Sequence, residues 1–450
     1  MAYLPFRSFV SGLTLLLMIW FQNGSALGRP NVVIVIADDQ TWFDAGCYGN
    51  TVINTPNIDR LAADGLKFNR AFTSTAMCAP TRQQLYTGIF PVRSGAFPNH
   101  SSVKPGTRSL VHYFREAGYD VGLCGKKHFG PRDSFPFTTV TKNNLGTFLS
   151  GDDPFFLVYA SNSPHLPWSE GDPGQYDKQK IKVPPYLFDN EQTRAAMVKY
   201  YAEITDFDRE LGEVDEQLRA AGKRDDTIFI YTSEQGAQFP YGKWTCYEVG
   251  LHVGLIMRWP HQIAGGSQSD ALVQYVDVLP TLLDLCKIDV KADFDGRSFS
   301  HVIQRGSEKH NEFVFGVHTT RGIIHGSESY PVRSIRSDRY KLILNLNHKI
   351  AFQNTLTQGD GGGYWKSWVA AAKNDPQAKS VVQGYVQRPR IEFYDLLEDP
   401  FERINLADDP LYSRQIAKMN RRLQSWMTQQ GDRGDETERT VKPHRTMLTN

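Results

Sequence analysis

The chain has 450 residues, 40% of them hydrophobic and 22% charged, so it is long and apolar enough to bury a sizeable core. Its 50 lysines and arginines nearly balance its 49 aspartates and glutamates. This balance excludes a chain-wide positive field of the kind that attracts nucleic acid or an anionic membrane surface. We therefore expect no nucleic-acid partner, and any recognition of an anion must be local.

The first 28 residues have the pattern of an export signal. Arg7 precedes an apolar run over residues 9–21 that is too short for a comfortable membrane span, and the small residues Gly24 and Ala26 suit signal-peptidase cleavage. We exclude residues 1–28 from the fold and expect an exported protein in a periplasmic, secreted or lysosome-like compartment. An uncleaved membrane anchor is the alternative.

Short, continuously apolar runs predict strands buried on both faces, and hence a mostly parallel sheet covered by helices. The runs lie within residues 31–39, 119–130, 154–165 and 226–236. Residues 57–65 and 194–222 have the pattern of amphipathic helices, the second of which ends at Gly222.

The pattern changes after residue 315, where residues 330–346 and 391–407 predict antiparallel strands and residues 411–430 a last helix. We predict an α/β fold with a large mixed, mostly parallel sheet sandwiched by helices over residues 29–315, followed by a smaller C-terminal α+β domain over residues 316–430. Residues 431–450 are expected to form a mobile polar tail. The glycine-rich residues 357–368 are expected to form a loop over a site.

Polar residues follow four of the predicted strands at their carboxyl ends, where sites form in open α/β sheets. They are Asp38 and Asp39, Lys126 and His128, His165, and Glu234 and Gln235. Each alone is explained by a cap, a surface lysine or a satisfied loop histidine, but their common edge favours a site. Three carboxylates and an amide suit Ca²⁺ or Mg²⁺ better than zinc. The surrounding cations, Arg82 among them, indicate a bound anion such as sulfate or phosphate.

Five scattered cysteines, Cys47, Cys78, Cys124, Cys246 and Cys286, form neither a disulfide scaffold nor a CxxC metal motif, and an odd number leaves at least one unpaired or chemically altered. Thr81 and Gln84 fit a capping box that starts a helix after Pro80. This places Cys78 near a helix N-terminus, where a nucleophile or anion is stabilised. An inert buried cysteine and a thiolate nucleophile both remain open at this point.

Residues 78–88, CAPTRQQLYTG, resemble the sulfatase signature Cys-x-Pro-Ser-Arg, with Thr81 in place of serine. Five further elements resemble the same family in the same order: NVVIVIADDQ (31–40), GKKHFGP (125–131), SPHLPW (163–168), GKWTCYEVGLHVGLIMRWP (242–260) and FYDLLEDPFERINLA (393–407). Residues 232–236, TSEQG, depart from the usual Thr-Ser-Asp-Asn-Gly, because Glu234 and Gln235 are each one methylene longer. The resemblance covers nearly all of the chain after residue 28 and implies an alkaline-phosphatase-like fold.

The resemblance also implies a mechanism. A formylglycine-generating or equivalent maturation enzyme would oxidise Cys78 to formylglycine, whose hydrate attacks sulfur with one hydroxyl and expels sulfate with the other. Arg82 would neutralise the region of the nucleophile, and Lys126 with His128 would orient the nucleophile and aid sulfate expulsion. His165 and Lys243 would bind the sulfate and protonate the leaving group. The implied metal ligands are Asp38, Asp39, formylglycine 78, Glu234 and Gln235.

Within the family, residues 125–131 and 330–352 are similar to the heparan N-sulfatases. This similarity implies a sulfated saccharide substrate, with N-sulfoglucosamine as the unit cleaved, and Arg333 and His348 as residues of the sugar pocket. An ordinary basic sheet face is the alternative for these two residues. The alternatives for the function are an O-sulfatase, a phosphoester hydrolase of the same superfold and a non-catalytic glycan-binding relative; a homodimer is left open.

Overall fold

The structure is a computed structural model that describes residues 1–2, 29–359 and 363–440. The predicted export signal therefore lies almost entirely outside the described residues. Within the ranges that are described, no helix combines the length and the apolar character needed to cross a membrane.

The described chain alternates strands and helices over its first two thirds. The strands are β1 (Asn31–Ala37), β2 (Leu66–Phe72), β3 (Asp120–Gly125), β4 (Thr138–Val140), β5 (Phe155–Ala160), β6 (Thr227–Ser233), β7 (His252–Arg258), β8 (Ser267–Ser269), β9 (Val273–Gln274), β10 (Val314–His318), β11 (Val332–Arg336), β12 (Tyr340–Asn345) and β13 (Ile391–Asp395). The helices are α1 (Pro56–Asp64), α2 (Cys78–Thr87), α3 (Pro91–Ser94), α4 (Leu110–Glu116), α5 (Leu145–Leu149), α6 (Glu191–Ala220), α7 (Glu248–Leu251), α8 (Val278–Leu285), α9 (Ser300–Arg305), α10 (Thr355–Gln358), α11 (Tyr364–Ala371), α12 (Pro376–Val386), α13 (Ser413–Gln429) and α14 (Asp435–Thr440).

A mixed sheet of nine strands forms the centre of the larger part, in the order β4-β3-β5-β1-β6-β7-β2-β8 with β9 beside β2. The first five strands in this order, β4, β3, β5, β1 and β6, run parallel to one another. Strand β7 is antiparallel to both of its neighbours, β6 and β2. Every residue of β1 is buried, because alternate side chains enter two separate cores: Val32, Ile34 and Ile36 enter one, and Val33 and Val35 the other. Burial on both faces explains the unbroken apolar run and confirms the predicted sandwiched sheet.

The strand register brings the carboxyl ends of the central strands level. Ile36 of β1 is paired with Ala160 of β5 and with Thr232 of β6, and Ala160 is also paired with Gly125 of β3. The residues that immediately follow these strands therefore meet at one edge of the sheet, as the sequence predicted.

The smaller part contains an antiparallel sheet in the order β10-β11-β12-β13, against which α13 packs through Met419, Leu423 and Trp426. This confirms the predicted C-terminal α+β unit. Strand β10 begins at Val314, so the boundary predicted between residues 315 and 316 falls inside a strand of the second sheet.

Two expectations for the C-terminal part are wrong. Residues 431–440 are not a mobile tail, because Asp432 and Glu438 are buried and form ion pairs with Arg333. Residues 357–368 do not form the expected loop in their described part, because they include the end of α10 and the start of α11 at Tyr364. The hydroxyl of Tyr364 donates to Gln238 O at 2.9 Å. Tyr364 thereby fixes this segment to the larger part of the protein.

Candidate active site

Backbone hydrogen bonds extend three strands by one residue each and thereby fix the first site residue of each strand. Glu234 N donates to Ala37 O at 2.8 Å, Lys126 N donates to Ala160 O at 2.9 Å, and Asp38 N donates to Ser163 O at 3.0 Å. These side chains therefore project from a rigid sheet edge rather than from free loops.

Backbone conformations that are uncommon for non-glycine residues cluster at the same edge. Asp39 and His128 have φ angles of 64° and 49°. Gly125, with φ 93°, approaches β5 so closely that a Cβ atom there would lie 2.1 Å from Ala160 O. Strained conformations of this kind persist where the surrounding structure holds them, which is common at functional sites.

Helix α2 brings Cys78 to this edge, and all ten of its residues are buried. The predicted capping box is absent: the helix begins at Cys78, three residues before Thr81, with Met77 as its N-cap. Thr81 Oγ1 donates to Thr75 O at 2.6 Å, and Gln84 Oε1 accepts from Ser74 Oγ at 2.5 Å. Both side chains stabilise the preceding loop instead of capping the helix. Cys78 still lies in the first turn of a helix, as predicted.

Four candidate ligand atoms meet beside α2. One side-chain atom from each of Asp38, Asp39, Cys78 and Glu234 lies within 4.8 Å of the other three, and all four residues are buried. Gln235 is adjacent, since its Nε2 donates to Asp39 Oδ1 at 2.5 Å and to Cys78 Sγ at 3.4 Å. The structure thus brings together every residue that the sequence proposed as a metal ligand.

Cationic groups surround these carboxylates. Arg82 Nε donates to Glu234 Oε1 at 2.6 Å, and Arg82 Nη2 lies 3.9 Å from Asp38 Oδ2. Lys126 Nζ pairs with the same Asp38 carboxylate. Each of these acidic groups therefore has a fixed positive partner, as buried charges require.

Lys243 and His165 approach the remaining carboxylate. Lys243 Nζ lies 2.5 Å from Asp39 Oδ2, and His165 Nε2 lies 3.6 Å from the same atom. His165 Nδ1 lies 2.5 Å from Leu166 O, and this contact fixes the orientation of the ring. Gln238 Oε1, which sequence analysis missed, accepts from Lys243 Nζ at 3.5 Å.

The charges shift the site's proton affinities in opposite directions. Burial raises the pKa of Glu234 well above its ordinary value, with the Asp38 charge adding to it and Arg82 opposing it. Burial also acts to raise the pKa of Cys78, but Lys126 and Lys243 outweigh it, and the pKa of Cys78 is well below its usual range. The site therefore favours an anion at position 78 and disfavours the ionised form of Glu234.

The donor set fits a hard cation. Carboxylate and amide oxygens are the ligands that Ca²⁺ and Mg²⁺ prefer. Gln235 Oε1 is buried and has no hydrogen-bond partner in the part of the chain that the structure describes, which leaves this oxygen available to a cation. A second candidate group among the described residues, Asp39, Cys78 and His165, shares two members with the first, so the two groups mark one centre.

Two residues that sequence analysis also missed lie next to the predicted ones. His100 contacts His128, with Nδ1 of the first 2.9 Å from Nε2 of the second. Gln83 on α2 is fully buried and bonds to two loops, at Ser101 and Val103 and at Gly130. No strand-end pattern marks His100, and Gln83 reads as an ordinary helix residue.

The predicted role of Arg333 in a sugar pocket is wrong. Its side chain has no exposed surface and is bonded to Asp432, with Nη2 to Oδ1 at 3.1 Å. A guanidinium buried in an ion pair is not available to a sugar. His348 lies half-buried in the turn after β12, and its role stays a prediction.

A family model described as Sulfatase matches residues 30–151 and 135–288, together more than half of the chain. The chain belongs to the sulfatase family. This confirms the family predicted from the motifs. A second model, described as N-sulphoglucosamine sulphohydrolase, C-terminal, matches residues 236–355 of this sulfatase.

Curated relatives extend over nearly the whole chain. An ulvan-active sulfatase of Formosa agariphila is 34% identical over 433 residues, covering 91% of this chain and 82% of that protein. Human N-sulphoglucosamine sulphohydrolase is 27% identical over 489 residues, covering 91% and 92% of the two chains.

Solved structures with low sequence identity share the fold. The protein BT4656, solved in complex with its substrate D-glucosamine-2-N,6-O-disulfate, has a TM-score of 0.72 at 20% identity, over 92% of this chain and all of that one. Phosphonate monoester hydrolase of Agrobacterium radiobacter has a TM-score of 0.69 at 20% identity, over 89% and 96% of the two chains. At this identity they confirm the predicted fold class, including its alkaline-phosphatase-like character, and nothing about the substrate.

Proposed function

We propose that this sulfatase hydrolyses sulfate groups of sulfated glycans and that N-sulfoglucosamine is its preferred unit. The observation that carries the proposal is the placement of Cys78 in the first turn of α2, against Asp38 and between cations. The substrate class is supported by the matched C-terminal family model of N-sulphoglucosamine sulphohydrolase and by the activities for which the two relatives are named.

In this proposal Cys78 becomes formylglycine and Ca²⁺ or Mg²⁺ binds beside it; together they supply an aldehyde-hydrate nucleophile and charge stabilisation for the sulfate oxygens. Asp38, Asp39 and Glu234 would hold the cation through their carboxylates. Gln235 donates its N–H groups to the Asp39 and Glu234 carboxylates, and its side-chain oxygen would be the fourth oxygen ligand.

Three fixed cations act on the anionic substrate and on the ligands. Lys243 is buried and Lys126 is partly exposed. Burial acts to lower the pKa of each, but pairing with Asp39 and Asp38 outweighs it and raises both pKa values above their ordinary range, so both lysines remain charged at neutral pH. Charges already in place around an anion need no reorganisation when it binds, which makes them effective in stabilising charge. Arg82 holds Glu234 and also donates from Nη1 to Lys126 O at 3.3 Å, so it fixes the positions of both residues.

The two histidines of the site have different roles in the proposal. His165 Nδ1 is occupied by Leu166 O, which directs Nε2 toward Asp39 and the reacting group. We assign protonation of the leaving amine or hydroxyl to His165, and orientation of the nucleophile to His128 with Lys126. Export after removal of residues 1–28 and conversion of Cys78 by a maturation enzyme belong to the same proposal.

The test combines mass spectrometry with sulfate release. We expect the peptide that contains residue 78 to carry formylglycine, and the protein to release sulfate from N-sulfoglucosamine faster than from O-sulfated sugars. Cys78→Ala should abolish release, whereas Cys47→Ala, a matched change at another unpaired cysteine, should leave it intact. An unmodified thiol in fully active protein contradicts the mechanism, and activity on phosphate esters alone contradicts the substrate class.

A further inference from the structure

A second imidazole lies against His128. His100 Nδ1 is 2.9 Å from His128 Nε2, and the two ring centroids are 4.8 Å apart. The far nitrogen of His100, Nε2, lies 3.3 Å from Asn99 Nδ2. A contact between two ring nitrogens requires one to donate and the other to accept, so a single proton lies between the rings.

Both histidines are held in an uncommon backbone conformation, with φ angles of 58° at His100 and 49° at His128. Such conformations are unfavourable for non-glycine residues and persist only where surrounding contacts enforce them. Two separate loops thus adopt unfavourable geometry and bring these rings together, which a chance surface contact would not require.

Gln83 of α2 supplies one of the enforcing contacts. Its Nε2 donates to Ser101 O at 2.8 Å, next to His100. Its Oε1 accepts from Val103 N at 3.0 Å and from Gly130 N at 3.3 Å, two residues after His128. Val103 N also donates to Gly130 O at 2.9 Å, so both histidine loops are bound to each other and to the helix of Cys78.

We propose that His100 is a positioning residue of the active site, whose Nδ1 bond to His128 Nε2 fixes the ring orientation and the tautomer of His128. The inference rests on the proposed function, because that function places the reacting group at position 78 and the inference assigns this group to the second ring nitrogen of His128, Nδ1. His128 Nδ1 is buried without a hydrogen-bond partner among the described residues, so it is the ring nitrogen left for the group at position 78. The tautomer of a histidine is set by the bond that its other nitrogen makes.

Two conservative substitutions of His100 distinguish a role in positioning His128 from a role in filling space. The amide of asparagine occupies the place of Nδ1, whereas the amide of glutamine reaches the place of Nε2. His100→Asn therefore keeps the contact with His128, and His100→Gln and His100→Ala lose it. We expect kcat to fall about 10–100-fold in the Gln and Ala variants and to be largely retained in the Asn variant, with KM changed less than kcat in each.

A spectroscopic measurement tests the contact without activity. In protein with ¹⁵N-labelled histidine, His128 should show one fixed tautomer, assigned from the signals lost in His128→Gln. The same tautomer should persist in His100→Asn and should become averaged in His100→Ala. Formylglycine content at residue 78 is measured in every variant, so that a maturation defect is not read as a positioning effect.

Equal kcat in wild type, Gln and Ala variants overturns the proposal, as does an Asn variant no better than Ala, or a tautomer unchanged in His100→Ala. If the wild type released no sulfate, the proposed function would fail while the ¹⁵N result still decided whether His100 fixes His128.

Discussion

Arg82 and Glu234 form a 2.6 Å hydrogen-bonded ion pair in which neither side chain has any exposed surface. It occurs where this chain departs from the family pattern, since Glu234 is one methylene longer than the usual aspartate. The longer side chain contacts Arg82 on α2, and one of its oxygens lies within 4.8 Å of the candidate ligand atoms of Asp38 and Cys78. Glu234 therefore links the strand edge to the nucleophile helix.

Glu234→Gln should destabilise the metal-free protein by about 3–5 kcal/mol at a pH at which Glu234 is ionised, because the buried Arg82 loses its nearest acidic partner and keeps only Asp38, 3.9 Å away. Because burial raises the pKa of Glu234, the effect should become smaller at lower pH. Urea unfolding with excess chelator present measures this free energy without a contribution from a bound cation. The matched control is Glu216→Gln, which breaks an exposed pair with Arg219 on α6 and should leave the free energy of unfolding nearly unchanged. Equal effects of the two changes would contradict the structural role of the pair.

Removal of divalent cations should lower both sulfate release and thermal stability. A cation that binds the folded state and not the unfolded state stabilises the folded state by about 2.7 kcal/mol when its concentration is 100 times Kd. Ca²⁺ or Mg²⁺ added after chelation should restore the melting temperature of the wild type and of Asp64→Asn, and should not affect Asp39→Asn. A wild-type melting temperature insensitive to both cations would refute the metal site.

The buried Asp44 predicts a pH dependence of stability. Burial raises its pKa from 3.8 to about 7, against opposing hydrogen bonds from Asn50, Tyr200 and Tyr201. The folded state then binds more protons than the unfolded state between pH 4 and pH 7, so this group's stabilisation is complete below about pH 4 and is lost as the pH rises to about 7.

We expect the stability of the wild type relative to Asp44→Asn to decline between pH 4 and pH 7 and to level off above that range. Urea unfolding at a series of pH values measures the difference. Parallel curves for the two proteins would show that the Asp44 pKa is not raised by folding.

Asp432→Asn should destabilise the protein by about 3–5 kcal/mol, because Arg333 is fully buried and would lose one of its two acidic partners. Asp435→Asn, on the exposed Asp435–Arg439 pair of the same segment, is the control and should cost less than about 1 kcal/mol. KM for the sulfated sugar should be unchanged in both variants. A KM increase in Asp432→Asn alone would indicate that Arg333 contributes to binding of the sugar.

The sequence predicted the sheet edge well, because an apolar strand followed by an acidic, basic or amide residue is a local pattern. Asp38, Lys126, His165 and Glu234 were found in this way, and the register of neighbouring strands brings them together. The pair formed by Arg333 and Asp432 was not predictable, since 99 residues separate its members and both read as surface charges.

Helix α2 shows the limit of local rules at closer range. Thr81 and Gln84 have capping-box spacing, yet their side chains bond to Thr75 and Ser74 because that loop is buried with the helix. The position of His100 depends on where its loop is placed by other parts of the chain, and no single-sequence pattern indicates that placement.

The complete burial of α2 sets an order of events in the life of this protein. Cys78 is 2% exposed, and the nine helical residues that follow it are buried as well. Under the proposed function, a maturation enzyme must hold residue 78 in its own active site, which needs an extended and accessible segment. Conversion then has to precede the packing of α2, and a chain that folds first is trapped in its thiol form. Refolding a purified, unconverted chain would consequently yield a native structure that never gains activity.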